Sequence, residues 1–351
     1  MKNILSLILA AVLLSNCHGL NESFKKSAVG NPYEVLVVCD EEFWNAPAGR
    51  AIFNALDTDI PGLPQSERSF RISRVSEANF TGMIKPFRNV ITVDIDEHMY
   101  TKTSFKYSRD PFATPQMIMT IQSPNREDFE QYVNENKQVI VDFFTATEMN
   151  RQIDILKEKH NEKALATTKE MFDCELLIPA GLNGEKRGEN FVWFSDFNST
   201  NPDILSFVMY SYPYTSTDNF SRENYIHMRD SVMKINMPGG KAGQYIQTDS
   251  MFVEITETSD RDRYMQIARG LWYMENDMMG GPFVSHSMVD EKNGRVIVVE
   301  AFVYAPNKKK GSMLRKLEAS LYTLKMPVDK MIENSTHIPE VVVEAEGEKT
   351  E

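Results

Sequence analysis

Two histidines and one aspartate are the side chains whose type and spacing suit acid–base chemistry. His227 and Asp230 are three residues apart, which places them one turn from each other on one face of a helix. A carboxylate in that position can orient an imidazole ring, and His286, between two serines, can supply a second imidazole. These three residues are the catalytic candidates for a hydrolase with a site between two lobes. No nucleophile accompanies them in the sequence, so a hydrogen bond at a helix surface is the favoured interpretation.

Other patterns that carry chemistry are missing from the sequence. There is no G-x-S-x-G, H-E-x-x-H, C-x-x-C or phosphate-loop motif. Four methionines, Met274, Met278, Met279 and Met288, suit Cu(I) ligation, but methionine is also a flexible filler of protein cores. We therefore expect no metal and no cofactor, and the sequence favours a non-catalytic protein over an enzyme.

A cluster of aromatic residues is the most distinctive local feature. Ten of the 35 residues from Phe191 to Tyr225 are aromatic. Strand periodicity over residues 205–214 places Tyr210, Tyr212 and Tyr214 on one face. This row either packs beneath a helix or forms an exposed surface that binds a protein or a glycan partner. We take the three tyrosines as the candidate partner-binding residues.

The overall charge excludes one large class of partners. The chain has 351 residues, with 38 Lys plus Arg against 50 Asp plus Glu, and a net charge of −12. A surface this acidic repels phosphate backbones, so we expect no nucleic-acid partner. The balance of 42% hydrophobic and 25% charged residues is that of an ordinary globular protein with a sizeable core.

The start of the sequence predicts localisation in the cell envelope. A short positive start is followed by apolar residues 4–14, a run too short to span a bilayer, and then by Cys17. The ending Leu-Ser-Asn-Cys resembles a bacterial lipobox, which implies a signal peptide over residues 1–16 and acylation, palmitate included, of Cys17. The alternative is an ordinary secretory peptide. Residues 17–30 read as a tether, and the absence of an acidic run after Cys17 favours an outer-membrane lipoprotein facing the periplasm.

Hydrophobic periodicity predicts strands and helices along the rest of the chain. The predicted strands are 34–39, 70–75, 89–95, 116–122, 174–178, 191–197, 205–212, 251–256, 264–274, 283–289 and 295–304. The predicted helices are 48–56, 126–169, 221–233 and 312–324. The dipeptide Asn293-Gly294 predicts a hairpin turn, because it readily adopts positive φ.

These elements favour an α+β fold with two mixed lobes, each a largely antiparallel sheet with packed helices. We place the lobes at residues 31–169 and 170–330, followed by an acidic, disordered tail at 331–351. Cys39 and Cys174 either pair in the oxidising envelope or remain as buried thiols, and spacing alone does not decide between these.

Residues 269–304, RGLWYMENDMMGGPFVSHSMVDEKNGRVIVVEAFVY, carry a family resemblance. With shorter stretches at 63–70, 88–90, 213–214, 229–231 and 316–319, they resemble domain-of-unknown-function family 4837, envelope lipoproteins of Bacteroidetes-type bacteria. The resemblance extends over about residues 30–326. It implies an envelope lipoprotein and brings no known activity and no catalytic residues.

Overall fold

The computed structural model describes residues 26–196, 202–260 and 263–327. Within these ranges the chain forms two compact units. The N-terminal unit comprises residues 26–58 and 70–144, and the C-terminal unit comprises 59–69 and the described residues from 145 onward. The predicted signal peptide, Cys17, most of the tether and the acidic tail lie outside the described residues.

Among the described residues, the N-terminal unit contains seven strands, three complete helices and the first part of a fourth. The strands are β1 Lys26–Ser27, β2 Glu34–Val38, β3 Arg71–Val75, β4 Asn89–Ile95, β5 Ser104–Arg109, β6 Ala113–Thr114 and β7 Met117–Ser123. The helices are α1 Glu41–Asn45, α2 Pro47–Leu56, α3 Arg126–Glu135 and the first part of α4 Lys137–Glu158.

The main sheet of this unit has the order β3-β2-β4-β7-β5. Three of its pairings are parallel, and only β5 pairs antiparallel, with β7. The α+β class is confirmed, but this sheet departs from the largely antiparallel arrangement predicted for both lobes. The connections between the strands explain the parallel pairing, because parallel neighbours must be joined by a crossover. Helices α1 and α2 form the crossover between β2 and β3.

The core of the N-terminal unit lies on the face of this sheet covered by helices. Apolar residues alternate along the strands, so that Val35 and Val37 face the same side as Ile91 and Met119. Helix α2 contributes its own apolar stripe to this core, and α3 begins at Asn125, whose side chain accepts a hydrogen bond from the Asp128 amide. The sheet is thereby held against one helical layer.

The C-terminal unit carries a larger sheet. Its strands are β8 Gly184–Gly188, β9 Phe191–Ser195, β10 Ile204–Pro213, β11 Ile246–Asp260, β12 Arg263–Met274, β13 Gly280–Asp290 and β14 Arg295–Tyr304. Its helices are the second part of α4, α5 Glu162–Phe172, α6 Arg222–Asn236 and α7 Gly311–Leu321. A short 3-10 helix, Thr217–Phe220, precedes α6.

This sheet is antiparallel throughout, in the order β11-β12-β13-β14-β10-β9-β8. The predicted hairpin is confirmed: Asp290 pairs with Arg295, and Gly294 has φ 61° in the turn between β13 and β14. Strand β11 has an irregularity between Asp249 and Glu254, where the pairing with β12 shifts. The central strands are buried on both faces, which explains the almost continuous apolar run of β14.

Helices α6 and α7 cover opposite faces of this sheet. On the α6 face, Tyr225 and Met233 pack with Val298 and Phe302. On the α7 face, Leu314, Leu317 and Leu321 pack in a core with strand residues that include Ile297, Val299 and Ala301. Alternate residues of β14 therefore belong to different cores, as the period of two requires.

The amino end of α7 is held by an acidic side chain from the segment 59–69. The Glu67 carboxylate accepts hydrogen bonds from the Lys310 amide at 2.7 Å and the Gly311 amide at 3.0 Å. A carboxylate at this position satisfies free amides and complements the helix dipole. This contact explains why residues 59–69 group with the C-terminal unit and not with their neighbours in sequence.

The long predicted helix over 126–169 is three helices, with breaks at Asn136 and at residues 159–161. The division between the units falls within α4, at 144/145, whereas the sequence analysis places it at 169/170. Met149 and Ile153 of α4 pack against Ala319 of α7, which accounts for the earlier division.

Candidate functional site

A wide cleft at one end of the C-terminal sheet is the candidate binding site. Its volume is about 1000 Å³. It is lined from the end of β10, the 3-10 helix, the β11–β12 pair and the β13–β14 turn. The lining residues are Tyr214, Thr217, Asp218, Phe220, Ser221, Glu257, Arg263, Tyr264, Val289, Glu291 and Gly294. We call it the aromatic cleft, after its three rings.

The three rings form one connected wall. The Phe220 and Tyr264 rings meet edge to face, with centroids 4.8 Å apart and planes at 70°. Tyr214 extends the wall, with its ring centroid 6.3 Å from that of Phe220. Phe220 is buried, whereas Tyr264 is 39% exposed and Tyr214 is half-buried. Apolar ring surface therefore reaches solvent inside a concave site, which is where small ligands bind.

Local sequence signals hold Phe220 in place. Ser216 caps the 3-10 helix, and Asn219 completes a capping box by bonding back to the Ser216 amide. The Gln266 side-chain amide then donates a hydrogen bond to the Phe220 carbonyl at 2.5 Å. The ring is thus fixed by its own turn and by strand β12.

Acidic side chains dominate the polar lining of the aromatic cleft. Asp218, Glu257 and Glu291 line it together with a single arginine, Arg263. Burial and the nearby Glu257 carboxylate raise the pKa of the Tyr264 hydroxyl, so it remains a neutral donor. The lining has carboxylate and hydroxyl groups that bind hydroxyl-rich ligands, and no histidine or cysteine.

The structure corrects the candidate partner-binding surface. Tyr210 is 1% exposed and Tyr212 is 7% exposed, because α6 covers this face of the sheet. The division of β10 into two faces is confirmed, since Phe207 and Met209 belong to the opposite core. Of the three predicted tyrosines only Tyr214 lines a cleft.

The structure separates one predicted catalytic residue, His286, from the other two, His227 and Asp230. His227 is exposed on the outer side of α6, and Asp230 accepts hydrogen bonds from the Thr248 amide and hydroxyl at 2.9 and 2.6 Å. Both line a shallow groove of about 510 Å³. His286 is 0% exposed on the other face of the sheet, against Tyr322 beside α7. An imidazole pair is therefore excluded as the basis of a hydrolase.

His286 is a neutral core residue. Burial lowers its pKa to about 3, with the Glu318 carboxylate opposing this shift and Arg269 adding to it. Neither ring nitrogen has a hydrogen-bond partner among the described residues. The ring instead packs against Tyr322, with centroids 4.6 Å apart.

Two arginine–glutamate ion pairs are buried against the sheet of the C-terminal unit, and the sequence analysis missed both. Arg229 of α6 binds Glu300 of β14 through two hydrogen bonds of 2.9 and 2.7 Å, and a third goes to Thr248 at 2.8 Å. On the opposite face, Arg269 of β12 binds both oxygens of Glu318 of α7. Two features of the sequence could have indicated the first pair. One is a glutamate inside the apolar run of β14, and the other is an arginine on the buried stripe of α6, four residues from both Tyr225 and Met233.

The cysteine and metal predictions can also be placed. Cys39 and Cys174 are buried thiols that form no disulfide with each other, and burial raises the pKa of Cys39 to about 11. Among the described residues, no group of three or more His, Cys, Asp and Glu side chains is placed to hold a metal ion. In the same part of the chain, no helix is both long enough and apolar enough to cross a membrane.

Comparison with known proteins identifies the C-terminal region. Residues 161–323 match the family described as Domain of unknown function (DUF4837). The resemblance to family 4837 is therefore confirmed for this region, which contains the aromatic cleft and both buried ion pairs. It is shorter than expected, because residues 28–157 match a second family, described as Domain of unknown function (DUF8532). The envelope-lipoprotein assignment stays a prediction.

The DUF4837 region brings no described activity from other proteins. No curated protein matches the chain. Among solved structures, the lipid transfer and protein localization domain of human StarD13 (DLC2) is similar at 13% identity. That match covers 46% of this chain and 97% of that domain, with a TM-score of 0.21.

Proposed function

We propose that this protein is a membrane-anchored envelope lipoprotein that binds a neutral glycan through the aromatic cleft, without catalysing a reaction. The observation that carries the proposal is the cleft itself, about 1000 Å³ with a wall of three aromatic rings and a rim of carboxylates. This volume accommodates a ligand the size of a short oligosaccharide.

The ring wall supports binding of sugars. Sugar rings present flat C–H surfaces, and an aromatic side chain offers a flat apolar face with little conformational entropy to lose. Tyr214 and Tyr264 also carry hydroxyl groups beside this face. Both rings lie near Phe220, at centroid distances of 6.3 and 4.8 Å, so the wall presents more than one ring to a ligand.

The charges around the cleft favour a neutral ligand. Asp218, Glu257 and Glu291 accept hydrogen bonds from sugar hydroxyls, and they repel phosphate, sulfate and uronate groups. Arg263 is the one cation of the lining. A neutral, hydroxyl-rich glycan matches this balance better than an anionic polymer does.

The anchor rests on the amino-terminal pattern. A lipidated Cys17 would hold the chain at the outer membrane, facing the periplasm, because several acyl chains bury enough CH₂ groups for stable attachment. In this proposal the protein has two partners, the lipid bilayer and the glycan. With one histidine exposed and the other buried on the far face of the sheet, the alternative of an envelope hydrolase loses its proposed residues.

The binding experiment compares two equally exposed tyrosines of strand β12. Tyr264 is 39% exposed in the cleft, and Tyr273 is 38% exposed outside it. Purified protein is first screened on an array of neutral and anionic oligosaccharides, and hits are measured by calorimetry. We expect a neutral oligosaccharide to bind, Tyr264→Ser to weaken binding at least tenfold, and Tyr273→Ser to leave it unchanged. Binding of anionic glycans alone, or of peptides alone, contradicts the proposal.

The anchor is tested separately by metabolic labelling with radioactive palmitate in a bacterial host. Labelling of the wild-type chain should be lost in Cys17→Ser and retained in Cys39→Ser, because Cys39 is a buried thiol. An unlabelled wild-type chain, or a label that survives Cys17→Ser, contradicts lipidation at Cys17.

A further inference from the structure

A second, smaller cavity in the C-terminal unit lies between the end of α6 and the sheet. Its volume is about 160 Å³. Twelve residues line it, most of them apolar, with Lys186 and Pro238 among them. We call it the methionine cavity. Lys186 and Pro238 are exposed, so the cavity reaches the surface at that end.

Two polar groups inside this apolar cavity have no hydrogen-bond partner among the described residues. Ser206 is 0% exposed, and its hydroxyl makes no hydrogen bond among the described residues. The indole N–H of Trp193 is likewise buried and unpaired in the described part of the chain. The other indole of the cavity, that of Trp272, donates to the Val303 carbonyl at 3.3 Å. A buried donor without an acceptor is unfavourable, so two such donors in one cavity favour the binding of an acceptor.

The other lining residues indicate that the rest of the ligand is apolar. Three thioethers, from Met237, Met274 and Met279, and the Trp272 and Phe302 rings form a soft, adaptable apolar surface. The lining contains no carboxylate, and its one charged side chain is Lys186. A dry apolar cavity of about 150 Å³ holds one benzene-sized molecule.

We propose that the methionine cavity binds a compact apolar molecule with a single hydrogen-bond-accepting oxygen, which receives both the Ser206 hydroxyl and the Trp193 indole N–H. A carbonyl or carboxylate oxygen suits this role because it has two lone pairs and accepts two donors. Cu(I) would use the thioethers but would leave both donors unpaired, so the geometry favours the oxygen-bearing molecule. This inference is independent of the glycan proposed for the aromatic cleft.

The test uses two probes of the same size, cyclohexanone and methylcyclohexane, which differ in the acceptor oxygen. The protein has three tryptophans, Trp44, Trp193 and Trp272, so its indole N–H signals in a ¹⁵N correlation spectrum number three. Trp193 and Trp272 line the cavity, and Trp44 lies in the N-terminal unit as an internal control. We expect cyclohexanone to shift the Trp193 and Trp272 signals saturably and to leave the Trp44 signal in place.

The two probes and one variant separate the acceptor from the apolar walls. Methylcyclohexane is the more hydrophobic probe, so each affinity is compared between wild type and Ser206→Ala and not between probes. Ser206→Ala should lower the affinity for cyclohexanone several-fold and leave that for methylcyclohexane unchanged. An equal effect of the variant on both probes overturns the proposal, and so does the absence of any saturable shift with the wild-type protein. The shift measured on the wild-type chain needs no variant to fold.

Discussion

The two faces of the C-terminal sheet each bury one arginine–glutamate pair, and they do so in opposite ways. On the α6 face the helix supplies Arg229 and the strand supplies Glu300, and both side chains are 0% exposed. On the α7 face the strand supplies Arg269, which is 19% exposed, and the helix supplies Glu318, which is 4% exposed. The same chemical pair is thus placed once in a dry core and once at the edge of solvent.

The surroundings give the two carboxylates pKa shifts of opposite sign. Burial raises the pKa of Glu300, and Arg229 offsets this only in part. Burial also acts to raise the pKa of Glu318, but Arg269, with a smaller contribution from Arg315, holds that pKa below its ordinary value. A buried carboxylate therefore follows the balance of desolvation against the cations around it, and one arginine is not always sufficient.

The α6 pair should show the largest effect of a single substitution. Arg229→Leu leaves the Glu300 carboxylate buried without its cation, and we expect a loss of about 3–5 kcal/mol in the free energy of unfolding. Urea unfolding followed by tryptophan fluorescence measures it, since Trp193 and Trp272 lie in this unit. Lys234→Leu, at an exposed position of the same helix, is the control and should cost less than about 1 kcal/mol.

A double variant checks the cause of that loss. Arg229→Leu with Glu300→Leu replaces the whole pair by apolar side chains, which is close to neutral in other buried pairs. We expect most of the stability to return. A double variant as unstable as Arg229→Leu alone would mean that packing, and not the unpaired charge, sets the cost.

The α7 pair should be less sensitive. Arg269→Leu leaves Glu318 near Arg315, at a site that solvent partly reaches, so we expect a loss of about 2 kcal/mol. Lys316→Leu, exposed on α7, serves as the control. The comparison between the faces fails if Arg269→Leu costs as much as Arg229→Leu.

Strand positions and turn chemistry were predictable along most of the chain. The hairpin at Asn293-Gly294 and the central strands of the C-terminal sheet follow from local pattern, because alternation and turn propensity are properties of neighbouring residues. The predicted strand at 174–178 is wrong, since that segment forms only one isolated bridge, between Glu175 and Lys325, and the two-residue strands β1 and β6 were missed. Strands β5 and β8 were also missed. Their sequences, SFKYSR and GEKRG, are largely polar, and each is a strand because it pairs with its neighbour at a sheet edge.

The candidate site was predictable only in part. Period two placed Tyr210 and Tyr212 on one face correctly, but it carries no information on what covers that face, and α6 does. Tyr214 was found, whereas Tyr264 lies in β12, 50 residues further along the chain, and Phe220 lies in the 3-10 helix that follows Tyr214. The ion pairs were missed for the same reason, since Arg229 and Glu300 are 71 residues apart.

His286 gives the α7 face a sensitivity to acid that the α6 face lacks. Its folded pKa, about 3, lies below the unfolded value of 6.5, so between these values the unfolded chain binds a proton that the folded chain does not. The free energy of unfolding therefore falls as the pH falls below 6.5. Between pH 7 and pH 5 this amounts to about 2 kcal/mol.

Replacing the imidazole tests this expectation. His286→Phe keeps an aromatic ring against Tyr322 and removes the titration, so the variant should lose about 2 kcal/mol less than wild type between pH 7 and pH 5. Urea unfolding at pH 7, 6 and 5 gives the comparison. His227→Phe, at an exposed histidine, is the control and should follow the wild-type profile. Parallel profiles for wild type and His286→Phe would contradict a neutral buried imidazole.

The smallest expected effect is the opposite pH slope of the two carboxylates. Because the folded pKa of Glu300 is raised, its contribution to stability falls as the pH rises above the ordinary value of 4.5. Because the folded pKa of Glu318 is lowered, its contribution rises with pH up to about 4.5 and is lost as the pH falls below it. Each pKa unit corresponds to about 1.4 kcal/mol.

Glu300→Gln and Glu318→Gln isolate these slopes when both are made in the His286→Phe chain, because the imidazole beside Glu318 then no longer titrates. The free energy of unfolding of each double variant is subtracted from that of His286→Phe between pH 3 and pH 7. We expect the Glu300 difference to fall with pH and the Glu318 difference to rise. Slopes of the same sign would mean that solvent reaches both pairs alike, and the contrast between a dry face and a partly solvated one would then have no electrostatic consequence.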